Sequence, residues 1–352
     1  MKNNKSDNVF KSISIIKSSL GEKLVIPCHH YQDELVVKIA DLLGDSYRLA
    51  VDCTKSKAKY ILFCGVRFMA EGAAILSQSD QKVILPDLSS GCPLAEMINL
   101  EQAEATFEEI ARRINKIPVP VVYINSTAEL KSFCGTHNGS TCTSSNVDKI
   151  IKFFLNRGQK IFFAPDRNLA LNSANKLGLK PDEYIVIDEN TEFTEEINRY
   201  KLFIWNGFCY VHKKFGLENA ERLRQRYEKI NLIVHPESDP EVVKAADFSG
   251  STQTIFQIVK EAPQGSIWGI GTESTFVNRI ANEFPDKKII PFTDSPCLDM
   301  QKIKPASIME CLKAIISFET ENGDLKNQVE IPEYLRKNAR KALRLMIRIT
   351  ED

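Results

Sequence analysis

The most restrictive feature of this 352-residue chain is that one local design is written into it three times. KVILPDLSSGC (82–92), KLFIWNGFC (201–209) and KKIIPFTDSPC (287–297) each run from a lysine through a short apolar strand to a single cysteine. Upstream lie three more matched openings: LVIPCHHYQDELVVKIADLLGDS from Leu24, VVYINSTAELKSFCGTHNGSTCTSSN from Val121 and LIVHPESDPEVVKAADFSGST from Leu232. Each opening reads as a short strand, then a polar residue (His29, Asn125 or His235), then a small polar cluster, GDS, TSSN or GST. A helical stretch and a second strand follow, as YILFCGVRFMAE, KIFFAPDRNLA and SIWGIGTEST. Internal repeats of this kind decide architecture before any single residue does.

Short strands alternating with helical periods predict parallel β-α-β units. The expected fold is therefore α/β: three similar small parallel-sheet α/β/α modules around a pseudo-threefold axis. The boundaries read as 1–98 for the first module, 99–213 for the second and 214–300 for the third. Residues 301–352 form a linker and a C-terminal amphipathic helix, with that segment packing back on the first module. Within it, FETENGDLKN (318–327) reads as exposed linker, and IPEYLRKNARKALRLMIRI carries apolar residues at helical spacing with basic residues opposite. Right-handed crossovers put the C-terminal ends of parallel strands along one sheet edge. The polar residues and the cysteines all fall at such ends.

Bulk properties narrow the function classes. Lysine plus arginine and aspartate plus glutamate are equal at 46 each, so net charge gives no argument for a nucleic acid or anionic membrane partner. The N-terminal MKNNKSDNVFKSISIIKSS has no apolar stretch long enough for a signal peptide, and no apolar run is long enough to span a bilayer. A cytoplasmic location is expected. Nine cysteines without a secretory segment point away from a disulfide framework, and no C-x-x-C is present. A metal centre built from these cysteines must gather them from far apart.

Three thiolates brought to one point suit a Cys₃ zinc site or a [4Fe–4S] cluster with one open iron corner. One cysteine of this kind alone would read as core packing; three matched positions, Cys92, Cys209 and Cys297, argue for ligation. Cys28, Cys53, Cys64, Cys134, Cys142 and Cys311 do not share the repeat position and read as core. Ser46, Ser144 and the Ser251–Thr252 pair stand where loops enter helices, where hydroxyls and N–H groups either cap the helix or hold phosphate and carboxylate. His29, His212 and His235 lie next to these ends, with Tyr31 after His29 and Glu237 after His235, an acid–base grouping. His137, in a Gly/Ser/Asn loop, reads as exposed. Tyr123 and Asn125, two apart on a strand, face the same way.

With those residues placed, the sequence resembles quinolinate synthase, the A-type enzyme of bacterial NAD biosynthesis. The matching stretches run in order from HHYQDELVVKIADLLGDS through FCGVRFMAEGAAIL, LPDLSSGC, YINSTAELK, CTSSNVDKI, APDRNLA, CYVHKKF, VHPESDPEV, GSTQTI and GTES to PFTDSPC. The resemblance implies a [4Fe–4S] cluster, one per chain, with one iron not ligated by cysteine and with Cys92, Cys209 and Cys297 as ligands. It implies condensation of iminoaspartate with dihydroxyacetone phosphate to quinolinate, phosphate and water. Substrate-binding residues carried over are His29, Tyr31, Ser46, Tyr123, Asn125, Ser144, His212, His235, Glu237 and Thr252, with Glu237 as general base and Tyr31 and His235 assisting. Implied partners are the small-molecule substrates, functional coupling to an aspartate oxidase or dehydrogenase, and iron–sulfur assembly machinery, with no nucleic acid and no membrane.

Some positions depart from the pattern. CGTHNGSTC (134–142) reads as a longer turn that could alter a lid or entrance; Arg67, Gly72 and Ser238 stand where the family often has other residues, and the C-terminal cysteine motif lacks a C-x-x-C switch. Two other readings compete. An iron–sulfur hydro-lyase acting on another di- or tricarboxylate would share the cluster but need no phosphate site. A non-catalytic anion-binding protein would use the same repeats with cysteines that merely pack.

Overall fold

A computed structural model describes residues 2–321 and 323–352, with residues 2–8 described by backbone alone. The chain divides into two compact units, Met1–Cys92 with Pro296–Ile331, and Pro93–Ser295 with Pro332–Asp352. Residues 1–92 of the expected first module lie in the first unit and 93–98 in the second; the second module lies wholly in the second unit, and the third divides, with 214–295 in the second unit and 296–300, which include Cys297, in the first.

All paired strands within the three modules run parallel. In the first module β1 (Leu24–Val25) and β2 (Pro27–His29) are one strand interrupted at Ile26, followed by β3 (Leu42–Gly44), β4 (Tyr60–Leu62) and β5 (Lys82–Ile84). β2 pairs with β3, β1 with β4, and β4 with β5. The second module has β6 (Val119–Tyr123), β7 (Ser140–Cys142), β8 (Ile161–Ala164), β9 (Tyr184–Ile187) and β10 (Leu202–Trp205), in the spatial order β7-β6-β8-β10-β9. The third has β11 (Ile230–Val234), β12 (Phe248–Ser249), β13 (Ile267–Gly271) and β14 (Lys288–Pro291), in the order β12-β11-β13-β14. Each module therefore places its second strand outermost, then its first, then its third, and β9 is an added edge strand in the second. Strands such as β6 and β10 are buried along their whole length, which explains why they read as continuous apolar runs rather than alternating ones.

The second strand of each module, β3, β7 or β12, is two or three residues long and was not legible as a strand. It is the element that carries the GDS, TSSN and GST clusters. The CGTHNGSTC stretch belongs to it as well: residues 134–136 end the helix Ala128–Thr136 and residues 140–142 are β7, so it forms ordinary secondary structure rather than a lid.

First and third modules repeat at the level of single hydrogen bonds. His29 N–H donates to the Cys64 carbonyl and His235 N–H to that of Gly271, both at 2.9 Å. The carbonyls of His29 and His235 accept from Gln32 and Ser238, both at 3.0 Å. Asp41 and Asp247 each receive the N–H of a first-strand residue, Ile26 at 2.8 Å and Leu232 at 2.7 Å. HHYQD and HPESD are thus the same turn, with Tyr31 and Glu237 in equivalent places.

The segments outside the sheets correct two expectations. Residues 301–352 do not pack as one piece on the first module. The helix Pro305–Glu321 does lie there, against the N-terminal helix Lys2–Leu20, but the helix Glu333–Glu351 belongs to the second unit. The latter buries Leu335, Ala339, Ala342, Leu343, Met346 and Ile349 against the helix Ala128–Thr136 and β7. The apolar stripe was readable, but its partner was not. Phe318 to Glu321 are helical rather than linker, and residues 327–329 lie along β5, where Leu85 N–H donates to Asn327 O at 3.1 Å and Val329 N–H to Val83 O at 2.8 Å. That contact covers an edge that would otherwise expose unpaired peptide groups. Among the described residues no helix is long and apolar enough to cross a membrane.

Candidate active site

Within the first unit lie His29, Tyr31, Ser46, Cys92 and Cys297. His29 ends β2, and its Nδ1 accepts the backbone N–H of Tyr31 at 3.2 Å. An accepting Nδ1 places the ring proton on Nε2, so this buried imidazole offers an N–H donor. The Tyr31 ring meets it edge-on, centroids 4.7 Å apart. Ser46 opens the helix Ser46–Lys55, but the cap is Asp45, whose carboxylate accepts Arg48 N–H at 2.9 Å. Capping is thus done by the neighbour, and the half-buried Ser46 hydroxyl stands in the first helical turn, where a positive helix end favours anions. The loops bearing Cys92 and Cys297 are tied together: Ser90 Oγ donates to Asp299 O at 2.8 Å, and Lys302 Nζ reaches Ser89 O at 2.6 Å and Asp299 Oδ1 at 2.8 Å.

Within the second unit lie Tyr123, Asn125, Ser144, Cys209, His212, His235, Glu237 and Thr252. Glu237 is its centre. The carboxylate is buried, its Oε1 accepts the Tyr123 hydroxyl, and its Oε2 lies 3.1 Å from His212 Nδ1. His212 Nε2 is 3.4 Å from Thr272 Oγ1, and the His212 ring stacks on His235 with centroids 4.4 Å apart and planes at 17°. His235 Nδ1 accepts the Glu237 backbone N–H at 3.4 Å, so His235, like His29, turns its Nε2–H outward from the turn. Burial, with His212 beside it and against the pull of Glu237, lowers His235 to about 3, which keeps it neutral at physiological pH. Burial pushes the Glu237 carboxyl up, but His212, His235 and the Tyr123 hydroxyl outweigh it and hold the group ionised, at about 2. Ligand atoms of Cys209, His212 and Glu237 lie within 4.8 Å of one another.

Ser144 lies half-buried in a turn that Asn146 closes, its Oδ1 accepting Thr143 N–H at 2.7 Å. Thr252 opens the helix Thr252–Glu261 and is buried, while Ser251 supplies the cap by accepting Thr254 N–H at 3.3 Å. A cavity of about 620 Å³ is lined by Ser144, Asn172, Pro236, Lys244 and Gly250, beside these two helix entries. Asn125 Oδ1 is buried with no hydrogen-bond partner among the described residues. A buried acceptor of this kind calls for a partner, whether water or another polar group.

Four buried polar residues at this edge were not singled out from the sequence. Asp166 caps the helix Arg167–Lys176 through Leu169 N–H at 2.7 Å; burial and the charge of Glu237 push its carboxyl well up. Asn168 Nδ2 donates to the Glu237 carbonyl at 3.1 Å and to Asp239 Oδ1 at 3.0 Å, which fixes the turn that aims Glu237. Thr272 supports His212, and the neighbouring Glu273 caps the helix Ser274–Glu283 through Phe276 N–H at 2.9 Å. All four follow a third strand, β8 or β13. The rule that singled out polar residues after first strands would have found them had it been applied to third strands too. His137, expected exposed, is half-buried between the rings of Phe107 and Phe133, at 4.6 and 4.8 Å.

All nine cysteines are thiols, and they fall into two groups. Cys28, Cys53, Cys64, Cys134, Cys142 and Cys311 are buried; Cys92, Cys209 and Cys297 are partly exposed. Burial pushes Cys53 up to about 12 and Cys311 to about 11, and raises Cys64, Cys134 and Cys142 as well. Buried, high-pKa thiols make poor ligands and poor nucleophiles. The structure thus separates the three repeat-position cysteines from the rest on a criterion the sequence did not use.

Comparison with known proteins places the chain. The family model of the quinolinate synthetase A protein matches residues 11–348. A quinolinate synthase of Listeria innocua is 40% identical over 98% of this chain and 94% of its own length. Those of a Geobacillus species and of Listeria monocytogenes are 40% and 41% identical, covering 95% and 96% of this chain and 92% and 93% of their own lengths. The family model and the near full-length relatives agree: this chain belongs to the quinolinate synthetase A family of NAD biosynthesis.

Proposed function

We propose that the protein condenses iminoaspartate with dihydroxyacetone phosphate, releasing one phosphate and two waters to form quinolinate. The observation that carries this reading is the Glu237 cluster: a buried, ionised carboxylate bonded to a tyrosine and a histidine, with a neutral second histidine stacked alongside. Joining the two substrates needs a proton taken from carbon, a phosphate released and later hydroxyls lost, each requiring a placed acid or base. Glu237 is the base in this scheme. The Tyr123 hydroxyl and His212 lower its charge cost and aim it, and the neutral His235 assists by offering its Nε2–H as a hydrogen bond to negative charge that develops on the substrate. Tyr31 occupies the equivalent turn position in the first module and serves as the second proton carrier, beside the His29 donor. Ser46, Ser144 and Thr252 hold phosphate and carboxylates through hydroxyls and first-turn N–H groups, and Asn125 offers its unpaired acceptor to the imine or a hydroxyl.

The donor set fits a [4Fe–4S] cluster held by Cys92, Cys209 and Cys297, because these are the partly exposed thiols. When bound, a cluster with one iron left without a cysteine supplies a Lewis acid for a departing oxygen. Iminoaspartate hydrolyses in water, so an enzyme that oxidises aspartate must work close by, and cluster assembly machinery must load the protein. Anaerobically prepared protein should form quinolinate from dihydroxyacetone phosphate and freshly generated iminoaspartate, with about four irons per chain. A loaded cluster with no product would favour the hydro-lyase reading, and a protein that never takes up iron would end both.

A further inference from the structure

The helix Glu333–Glu351 has a second face with no part in its docking. It carries six basic residues, Arg336, Lys337, Arg340, Lys341, Arg344 and Arg348, against two acidic ones, in a chain whose formal net charge is zero. Three of them, Lys341, Arg344 and Arg348, recur at helical spacing and form one wall of a groove of about 580 Å³. Arg157 stands on the opposite wall, its guanidinium 3.4 Å from the Phe153 ring centroid, with Asn138 and Gln159 adding amides. No carboxylate lines the groove, and none of these four cations is in an ion pair among the described residues.

We propose that this groove binds a nucleoside polyphosphate, its phosphate chain held by Arg157, Lys341, Arg344 and Arg348 and its base lying against the Phe153–Arg157 wall. Guanidinium forks match phosphate oxygens in pairs, and a guanidinium plane stacks on a flat base. The volume is in the range of small-molecule sites. The four cations converge on one groove rather than forming an extended basic track, which favours a small polyanion over a nucleic acid. A membrane is disfavoured because the apolar face of the helix is already buried against the second module. The site lies against functional structure: Gly139 in its lining precedes β7, and Asn146 Nδ2 donates to Thr350 Oγ1 at 2.9 Å, linking the basic helix to the Ser144 turn.

The test is titration calorimetry of the full, cluster-loaded chain with ATP, and separately with tripolyphosphate, adenosine, a short single-stranded oligonucleotide and an acidic peptide. ATP should bind most tightly, tripolyphosphate more weakly and adenosine least, with affinity falling as salt is added. The double variant Arg344→Glu/Arg348→Glu, both exposed and on the undocked face, should lose at least about tenfold in ATP affinity, well over one factor-of-ten step in free energy being at stake. Its circular dichroism and turnover should stay at wild-type values. ATP binding that survives charge reversal would belong to another site and overturn the assignment, as would no ATP binding. Binding of only the oligonucleotide or only the peptide would refute it in favour of a macromolecular partner.

Discussion

Gly135→Ala tests how the second module is clamped. Gly135 lies in the helix Ala128–Thr136, which meets the helix Glu333–Glu351. A Cβ added there would stand 1.9 Å from the Asn338 carbonyl oxygen and 2.6 Å from its carbon. Those are backbone atoms of a docked helix, which no side-chain rotation can relieve. A tolerable carbon–oxygen contact is about 3.3 Å, so the helix must retreat by about 1.4 Å. Six buried side chains from Leu335 to Ile349 then lose their fit. Overpacking of this kind costs about 3 kcal/mol, against roughly 1 kcal/mol gained in helix propensity on replacing glycine, a net loss of about 2 kcal/mol. Gly72 is the control: it is also helical, a Cβ there meets nothing within 4 Å, and Gly72→Ala should gain about 0.5 kcal/mol. Urea denaturation by far-ultraviolet circular dichroism compares the two, with hydrogen exchange at residues 333–351 showing where the loosening occurs. A Gly135→Ala variant as stable as wild type, or one stabilised like Gly72→Ala, would refute the close approach and the clamp drawn from it.

Three further outcomes are expected. Glu237→Gln should keep its iron, counted chemically, while quinolinate formation falls by at least roughly a hundredfold, the usual scale for a lost general base. Cys209→Ser should lose both iron and product, whereas Cys134→Ser, at a buried position outside the repeat, should keep both if it folds. Glu319, bonded to Lys23 Nζ at 2.6 Å, Lys59 Nζ at 2.5 Å and Tyr60 Oη at 2.5 Å, is held at about 2 by those three partners. Because its folded value lies below its unfolded one, its contribution is present above about pH 4.5 and lost as pH falls toward 2; Glu319→Gln should cost about 1 kcal/mol at pH 7 in urea denaturation, a difference that closes on acidification.

Much of this arrangement was legible because strand ends in a parallel sheet share an edge. Cysteine and histidine positions that look scattered along the chain, such as Cys209, His235 and His29, become matched once each is read as standing at or just past the C-terminal end of a strand. What was not legible had local causes. β3, β7 and β12 are too short for any periodicity, and only their pairing with the first strand of each module defines them. The N-terminal helix was unreadable because its polar sequence carries few apolar residues, and Ile13 and Leu20 bury only in a tertiary setting. The C-terminal helix announced an apolar stripe, but stripes do not name partners; Gly135, which admits its backbone, lies some two hundred residues away and reads as an ordinary helical glycine.

The repeated turn of the first and third modules shows how such a fold assigns chemistry. The same hydrogen bonds hold HHYQD and HPESD, and in both the histidine Nδ1 is consumed by the N–H two residues on. The fold thereby presents two Nε2–H donors without any further design. The residue whose N–H makes that bond is the one that differs, a phenol at Tyr31 and a carboxylate at Glu237. A turn that fixes the backbone while leaving one side chain open to choice can supply a weak acid in one module and a base in another. The second module contributes what neither has: Tyr123, whose hydroxyl settles on Glu237, together with His212 on its other oxygen. A buried carboxylate would otherwise take up a proton, and these two contacts, supplied from different elements, keep it ionised.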